Sequence, residues 1–279
     1  MSAPYQKPAR WYEPANKIFA KQVAFTAPPH DFDAAPSDFL RMAAPHVGVH
    51  GRMLHVDGYA HQLSQRTKNF DLLEEYVECM ANNGADVCGQ VGSNWVHAGG
   101  KTPQDIADFC DRMAQTYDTP LHMAGHCLVQ ACQAMNVEKV ALNSVYYWPD
   151  WRDGLARFLR EAGLELIYVG NFVDLGIFDT QEEVNAQTWI FPLETCLKSM
   201  ERLAEQAPDA QAYLINGMPN WRDAAGLTHR PLSLAAEIEA TVGKPLIASD
   251  TALYWRIFKT LSEAPARKGL GQLLDSLHG

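Results

Sequence analysis

Short apolar runs alternate along this chain with longer stretches in which apolar residues recur at helical spacing. Residues 21–27 read as a strand that ends at Pro28-Pro29. Residues 36–44 carry a helical pattern, and 47–56 alternate like a strand. Phe70, Leu73, Val77 and Met80 share one helical face, stopped by Asn83-Gly84. Residues 85–91 form an apolar run leading to Gly92, and Thr102-Pro103-Gln104-Asp105 has the composition of a helix N-terminus. The alternation then continues: strands over 121–124, 139–142, 164–169, 212–215 and 245–248, and helices over 126–135, 150–162, 194–206 and 232–242. A last helix, capped by Ser249 or Asp250, runs through Leu261. Strands alternating with helices imply parallel sheets covered by helices, an α/β fold.

A short segment occurs twice. Ser93-Asn94-Trp95-Val96-His97-Ala98-Gly99-Gly100 and Pro219-Asn220-Trp221-Arg222-Asp223-Ala224-Ala225-Gly226 match in register at Asn, Trp, Ala and the final Gly. Each copy follows an apolar strand, so the chain reads as two related lobes. The expected division is 1–118 plus 230–279 for the first lobe and 119–229 for the second. Residues 1–18, rich in aromatics and proline, form an irregular arm that packs on its own protein or on a neighbouring subunit, which makes a homo-oligomer an expectation. Parallel sheets bind ligands at the carboxyl ends of their strands, so the site is expected between the lobes.

The formal net charge of −10 gives no electrostatic footprint for nucleic acid or an anionic membrane. A small anionic substrate remains compatible, because backbone N–H groups can bind it. No apolar run reaches the length of a membrane span, and the N-terminus has no signal-peptide pattern. The six cysteines form no CxxC pair, which suggests reduced thiols and a cytoplasmic protein.

Four stretches resemble the aspartate/glutamate racemase superfamily, in its maleate isomerase and arylmalonate decarboxylase branch. They are Val23 to Pro29, Ala85-Asp86-Val87 to Gly92-Ser93-Asn94, Val140 to Tyr146 with the Gly-Leu-Glu-Leu-Ile strand beyond it, and Gly243-Lys244-Pro245-Leu246-Ile247-Ala248-Ser249-Asp250-Thr251-Ala252-Leu253. The resemblance implies two flavodoxin-like parallel-sheet lobes related by pseudo-two-fold symmetry, with a cofactor-free site between them. It also implies that Ser93, Asn94 and Tyr146 occupy carboxylate- and oxyanion-binding positions. Two-base members carry a cysteine in each lobe's loop. Here the first position is Gly92, as it is in arylmalonate decarboxylase, and the second falls at Gly217 or Met218. A two-thiol racemisation therefore lacks both of its bases.

The remaining groups leave alternatives. Gly92-Ser93-Asn94 can cradle a carboxylate or enediolate oxygen, or can serve as an ordinary turn and helix cap. Tyr146 and Tyr147 are oxyanion donors or core tyrosines. Asn220 and Trp221 are the second-lobe counterparts of Asn94 and Trp95, and the two tryptophans either meet an aromatic substrate or pack beneath the loops. His97 or its counterpart Asp223 could move the proton, as could His30 beside Pro29. His122 and His126 share metal-ligand spacing, but Gly125 at a strand-to-helix junction breaks the geometry, so no metal is expected. Cys88 and Cys127 read as buried thiols. The leading expectation is a cofactor-independent lyase, decarboxylating a carboxylate-bearing, aromatic carbon acid through an enediolate-like intermediate. An isomerase or racemase with non-cysteine bases is the alternative enzyme, and a silent carboxylate-binding protein is the third reading.

Overall fold

A computed structural model describes residues 17–27, 33–217 and 219–279. In chain order its first part holds β1 (Lys21–Ala27), α1 (Ala35–Leu40), β2 (Val47–Met53), α2 (Leu63–Lys68), α3 (Leu72–Asn82), β3 (Val87–Gln90), α4 (Pro103–Tyr117), β4 (Leu121–Met123) and α5 (Ala124–Ala134). Its second part holds β5 (Lys139–Asn143), α6 (Pro149–Glu161), β6 (Glu165–Gly170), α7 (Gln181–Asn185), β7 (Ile190–Pro192), α8 (Leu193–Gln206), β8 (Ala212–Ile215), β9 (Asn220–Arg222) and β10 (Thr228–His229). It ends with α9 (Pro231–Val242), β11 (Leu246–Ala248), α10 (Ser249–Leu261) and α11 (Gln272–Asp275).

Two four-stranded sheets are parallel throughout, in the orders β2-β1-β3-β4 and β6-β5-β8-β11. In each, the strands that come first and third in sequence lie side by side in the middle, so the second sheet repeats the first. β3, β8 and β11 are buried at every position, which is why their sequences are mostly consecutive apolar residues rather than alternating ones, with the buried Gln90 amide donating to the Gly92 carbonyl at 2.9 Å. α4 begins as its sequence suggests. Thr102 Oγ1 accepts from the Asp105 N–H at 3.2 Å while the Asp105 carboxylate accepts from the Thr102 N–H at 2.8 Å.

Strand pairing divides the chain differently from the expected boundaries. Leu121–Met123 pairs with β3 in the first sheet, although residue 119 was expected to open the second lobe. Leu246–Ala248 pairs with β8 in the second sheet, although 230–279 was expected to return to the first. The reason is that a βαβ unit closes on its own sheet, so each lobe needs its fourth strand and the helix before it. α10 then crosses between lobes. It packs on α5, and its Phe258 stacks on Phe39 of α1 at 4.6 Å between ring centroids. Apolar residues all round this helix, rather than along one stripe, suit that inter-lobe position.

A third, small sheet has the order β10-β9-β7. It is built from strands of two or three residues and stands beside the carboxyl ends of the second sheet. Among the described residues no helix is long and apolar enough to cross a membrane. The N-terminal arm lies outside the described residues up to position 16.

Candidate functional site

Gly92 and Gly217 each sit two residues beyond the end of a strand, β3 and β8 respectively. Their φ angles are +90° and +89°, a region that side chains rarely adopt. These two glycines, not Asn94 and Asn220, are the structural equivalents. The repeated segments themselves differ in conformation: Ser93–Trp95 is a single 3-10 turn, and Asn220–Arg222 is strand β9.

A cavity of about 250 Å³ opens here. Of the residues expected at the site, Gly92, Tyr146, Tyr147 and Asn220 line it. Gly217 lies against the two tyrosines: a Cβ there would be 2.8 Å from Tyr147 Cε2 and 3.2 Å from each tyrosine hydroxyl. A cysteine at this position would therefore meet both the backbone strain and the tyrosine rings. Among the described residues the cavity lining contains no thiol. Burial pushes the Cys88 thiol up to about 12 and Cys127 higher still, so both stay protonated core residues.

Several expected residues stand one layer behind the cavity. Asn94 is fully buried, and its Oδ1 lies 2.9 Å from His97 Nε2. Its Nδ2 has no acceptor at good geometry and lies beside the Tyr147 hydroxyl, which is also bonded to Tyr146. His97 is not the solvated proton shuttle that a loop histidine suggests. Its ring packs on Gly154 of α6, where a Cβ would come within 2.4 Å of Nδ1. Burial, with Arg66 and Arg157 nearby, holds its pKa down to about 3, so the ring is neutral. With the amide oxygen facing the ring, Nε2 carries the hydrogen and donates it, fixing Asn94.

The Ser93 hydroxyl is committed elsewhere. It donates to Asn216 Oδ1, whose Nδ2 donates to Ser144 Oγ at 3.0 Å, a buried chain joining the two lobes. Trp95 and Trp221 are fully buried beneath their loops, so packing is their role. Asp223 lies in the β9–β10 hairpin, where its carboxylate accepts from His229 Nε2 at 2.8 Å and from the Ala225 and Leu227 N–H groups at 2.9 Å each. These bonds hold its pKa below the usual carboxylate value. It does not line the cavity, so the geometry turns both expected proton carriers, His97 and Asp223, into supports. Pro29, His30 and Met218 lie outside the described residues.

Asp33, His61, Arg66 and Trp189 also line the cavity, and none of them was expected there from the sequence. Asp33 belongs to a buried cluster in which Arg230 meets Asp33 at 3.5 Å, Asp38 at 2.8 Å and Asp250 at 3.9 Å. His61 and Arg66 come from the segment around α2, and Trp189 from the turn before β7. Trp189 has φ +65°, a left-handed conformation that swings its ring to 4.9 Å from Tyr146 and 5.5 Å from Trp148. No local sequence pattern marks such a residue. The wall is thus aromatic, formed by Tyr146, Tyr147, Trp148, Trp151 and Trp189. His122, the expected non-ligand, has Nε2 2.7 Å from Thr260 Oγ1.

The same architecture occurs in solved structures. A double mutant of arylmalonate decarboxylase in the liganded form has a TM-score of 0.70 at 17% identity, covering 92% of this chain and 99% of that one. The maleate isomerase Iso from Pseudomonas putida S16 has a TM-score of 0.71 at 13% identity, with the same coverage. The maleate cis-trans isomerase of Nocardia farcinica bound to TRIS has a TM-score of 0.65 at 15% identity, covering 92% of this chain and 98% of that one. No curated protein matches the sequence. These likenesses show a shared two-lobe fold. The family profile described as "Arylmalonate decarboxylase" matches residues 49–274, a span that takes in all of the second sheet, β3 and β4 of the first, and every cavity-lining residue except Asp33. By that match the chain belongs to the arylmalonate decarboxylase family.

Proposed function

We propose that this chain is a lyase that decarboxylates a malonate-type carbon acid bearing an aromatic or bulky apolar substituent. The observation that supports this most is the pair of tyrosine hydroxyls packed against Gly217 at a cavity walled by tryptophans. One carboxylate of the substrate lies beside Tyr146 and Tyr147 and accepts from their O–H groups. Asn94, fixed by His97, keeps Tyr147 in place. The apolar substituent lies along Trp148, Trp189 and Ile190.

The other carboxylate leaves as carbon dioxide. Its C–C bond breaks and the electron pair passes into the retained carboxylate, forming an enediolate. The new negative charge falls on the oxygens that face the hydroxyls, and donors already in position favour that state over the ground state. The retained carboxylate is itself the electron acceptor, so the reading calls for no cofactor. A proton then reaches carbon from the His61 imidazole, which lines the cavity.

The test is a panel of aryl-substituted malonates assayed for carbon dioxide. Tyr146→Phe and Tyr147→Phe should each lower kcat by about a hundredfold or more, the usual cost of one oxyanion donor. Full turnover in both variants would sink the assignment. Exchange of an α-hydrogen with solvent, without carbon dioxide, would replace it with a racemase or isomerase. Binding with neither outcome would leave a carboxylate-binding protein.

A further inference from the structure

Arg66 is a buried cation with no ion-pair partner among the described residues. It lies on α2 with 3% of its surface exposed. Its guanidinium sits 4.5 Å from the Trp151 ring centroid and 5.6 Å from that of Trp95. Nη2 donates to the Tyr59 hydroxyl at 3.3 Å. Nε and Nη1 are buried and have no acceptor among the described residues. No carboxylate among those residues forms an ion pair with it, in a chain with 33 acidic and 23 basic side chains. An unpaired buried charge is costly, and the rings on either side offset only part of that cost. Arg66 also lines the cavity, as Gly92 does.

We infer that Arg66 forms an anion subsite that takes a second negative group on the substrate, one that remains on the product. This rests on the decarboxylase reading and refines it. A planar guanidinium with two donor nitrogens that have no acceptor among the described residues suits a carboxylate or a comparable planar anion. The group bound here is not the carboxylate that departs. Pairing the departing carboxylate with a cation would stabilise the ground state, whose charge disappears from that group as carbon dioxide forms, and so would slow the reaction. The remaining position for an anion is on the substituent that lies along the aromatic wall. The substrate class is therefore an aryl carbon acid whose ring or side arm carries an acidic group.

Product-like probes isolate this subsite, because they do not turn over. Phenylacetate carries only the carboxylate of the tyrosine subsite, while 3- and 4-carboxyphenylacetate add one on the ring. By calorimetry the wild-type protein should bind at least one carboxyphenylacetate tenfold or more tighter than phenylacetate. Arg66→Gln should abolish that preference and leave phenylacetate affinity within about twofold, and Arg66→Lys should keep part of it. Melting curves of both variants show whether the fold survives, and the ratio of the two affinities is read within each variant, so a general loss of stability does not imitate the effect. Equal wild-type affinity for phenylacetate and both ring acids, or an unchanged ratio in Arg66→Gln, overturns the subsite alone. Failure of all three probes to bind the wild-type protein overturns the subsite and the decarboxylase reading together.

Discussion

His97 shows how a residue type can suggest one role and its surroundings impose another. A histidine in a loop at a strand end suggests proton transfer. Burial against Gly154 removes that option by keeping the ring neutral, with its pKa lowered to about 3. The consequence is a stability effect with a definite sign. In the unfolded chain the imidazole takes up a proton below about pH 6.5. In the folded chain it does so only near 3. The stability His97 contributes is therefore fully present above pH 6.5 and is lost as pH falls towards 3, at about 1.4 kcal/mol per pH unit. Asp250, raised by burial to about 7, works in the opposite direction over part of the same range. The prediction is thus a difference. Urea unfolding of wild type and His97→Gln between pH 4 and 6 should give slopes that differ by about 1.4 kcal/mol per pH unit, with the variant less acid-sensitive. Equal slopes would mean that His97 is protonated in the folded protein.

Among the elements, those with an apolar run or a helical pattern were legible, even β4 and β11 at three residues each, whereas the third sheet and α2 were not. β3 and β8 announce themselves because burial on both faces favours consecutive apolar residues, and α4 because Thr102 and Asp105 cap it. The sheet formed by β7, β9 and β10 has strands too short to show any period, and α2 has only six residues. α2 and the turn before β7 deliver Arg66 and Trp189 to the cavity, so that part of the wall could not be read in advance. Gly92, Tyr146, Tyr147 and Asn220 could be, since they follow recognisable strands. The repeated Asn-Trp segment marked the correct loops but the wrong equivalence, because sequence identity at one offset outweighed the one-residue shift that pairs Gly92 with Gly217. Asp223 tests this element directly. As a hairpin brace, its replacement by Asn should leave kcat within a few fold, raise KM through Asn220, and speed amide exchange at Ala225 and Leu227. Loss of kcat with unchanged exchange would restore it as a proton carrier.

Across the whole molecule, two buried polar links hold the lobes in register over the cavity. One is the Ser93–Asn216–Ser144 chain. The other is Arg230, just before α9, which gathers Asp33 and Asp38 of the first lobe and Asp250 at the start of α10. Three carboxylates around one guanidinium carry excess negative charge, and burial resolves it by raising Asp38 and, more strongly, Asp250 to about 7, so that Asp250 keeps its proton in mild acid. A carboxyl group whose folded pKa is raised loses stability for the fold as pH climbs from its unfolded value, about 3.9, to its folded one. Asp250→Asn should remove that loss and be neutral or stabilising at pH 8, the more so the higher the pH up to about 8. Arg230→Met should do the reverse, because it leaves buried carboxylates without their counter-charge. Breaking a buried pair in this way costs about 3–5 kcal/mol. Combining Arg230→Met with Asp38→Asn and Asp250→Asn should restore much of that, since a buried charge without a partner is worse than no charge at all. Melting temperatures of the single, double and triple variants at pH 6 and pH 8 decide the matter. If Arg230→Met melts like the wild type, or if the triple variant melts no higher than Arg230→Met, then the cluster does not fix the lobes. Asp33 would then reach the cavity by some other support.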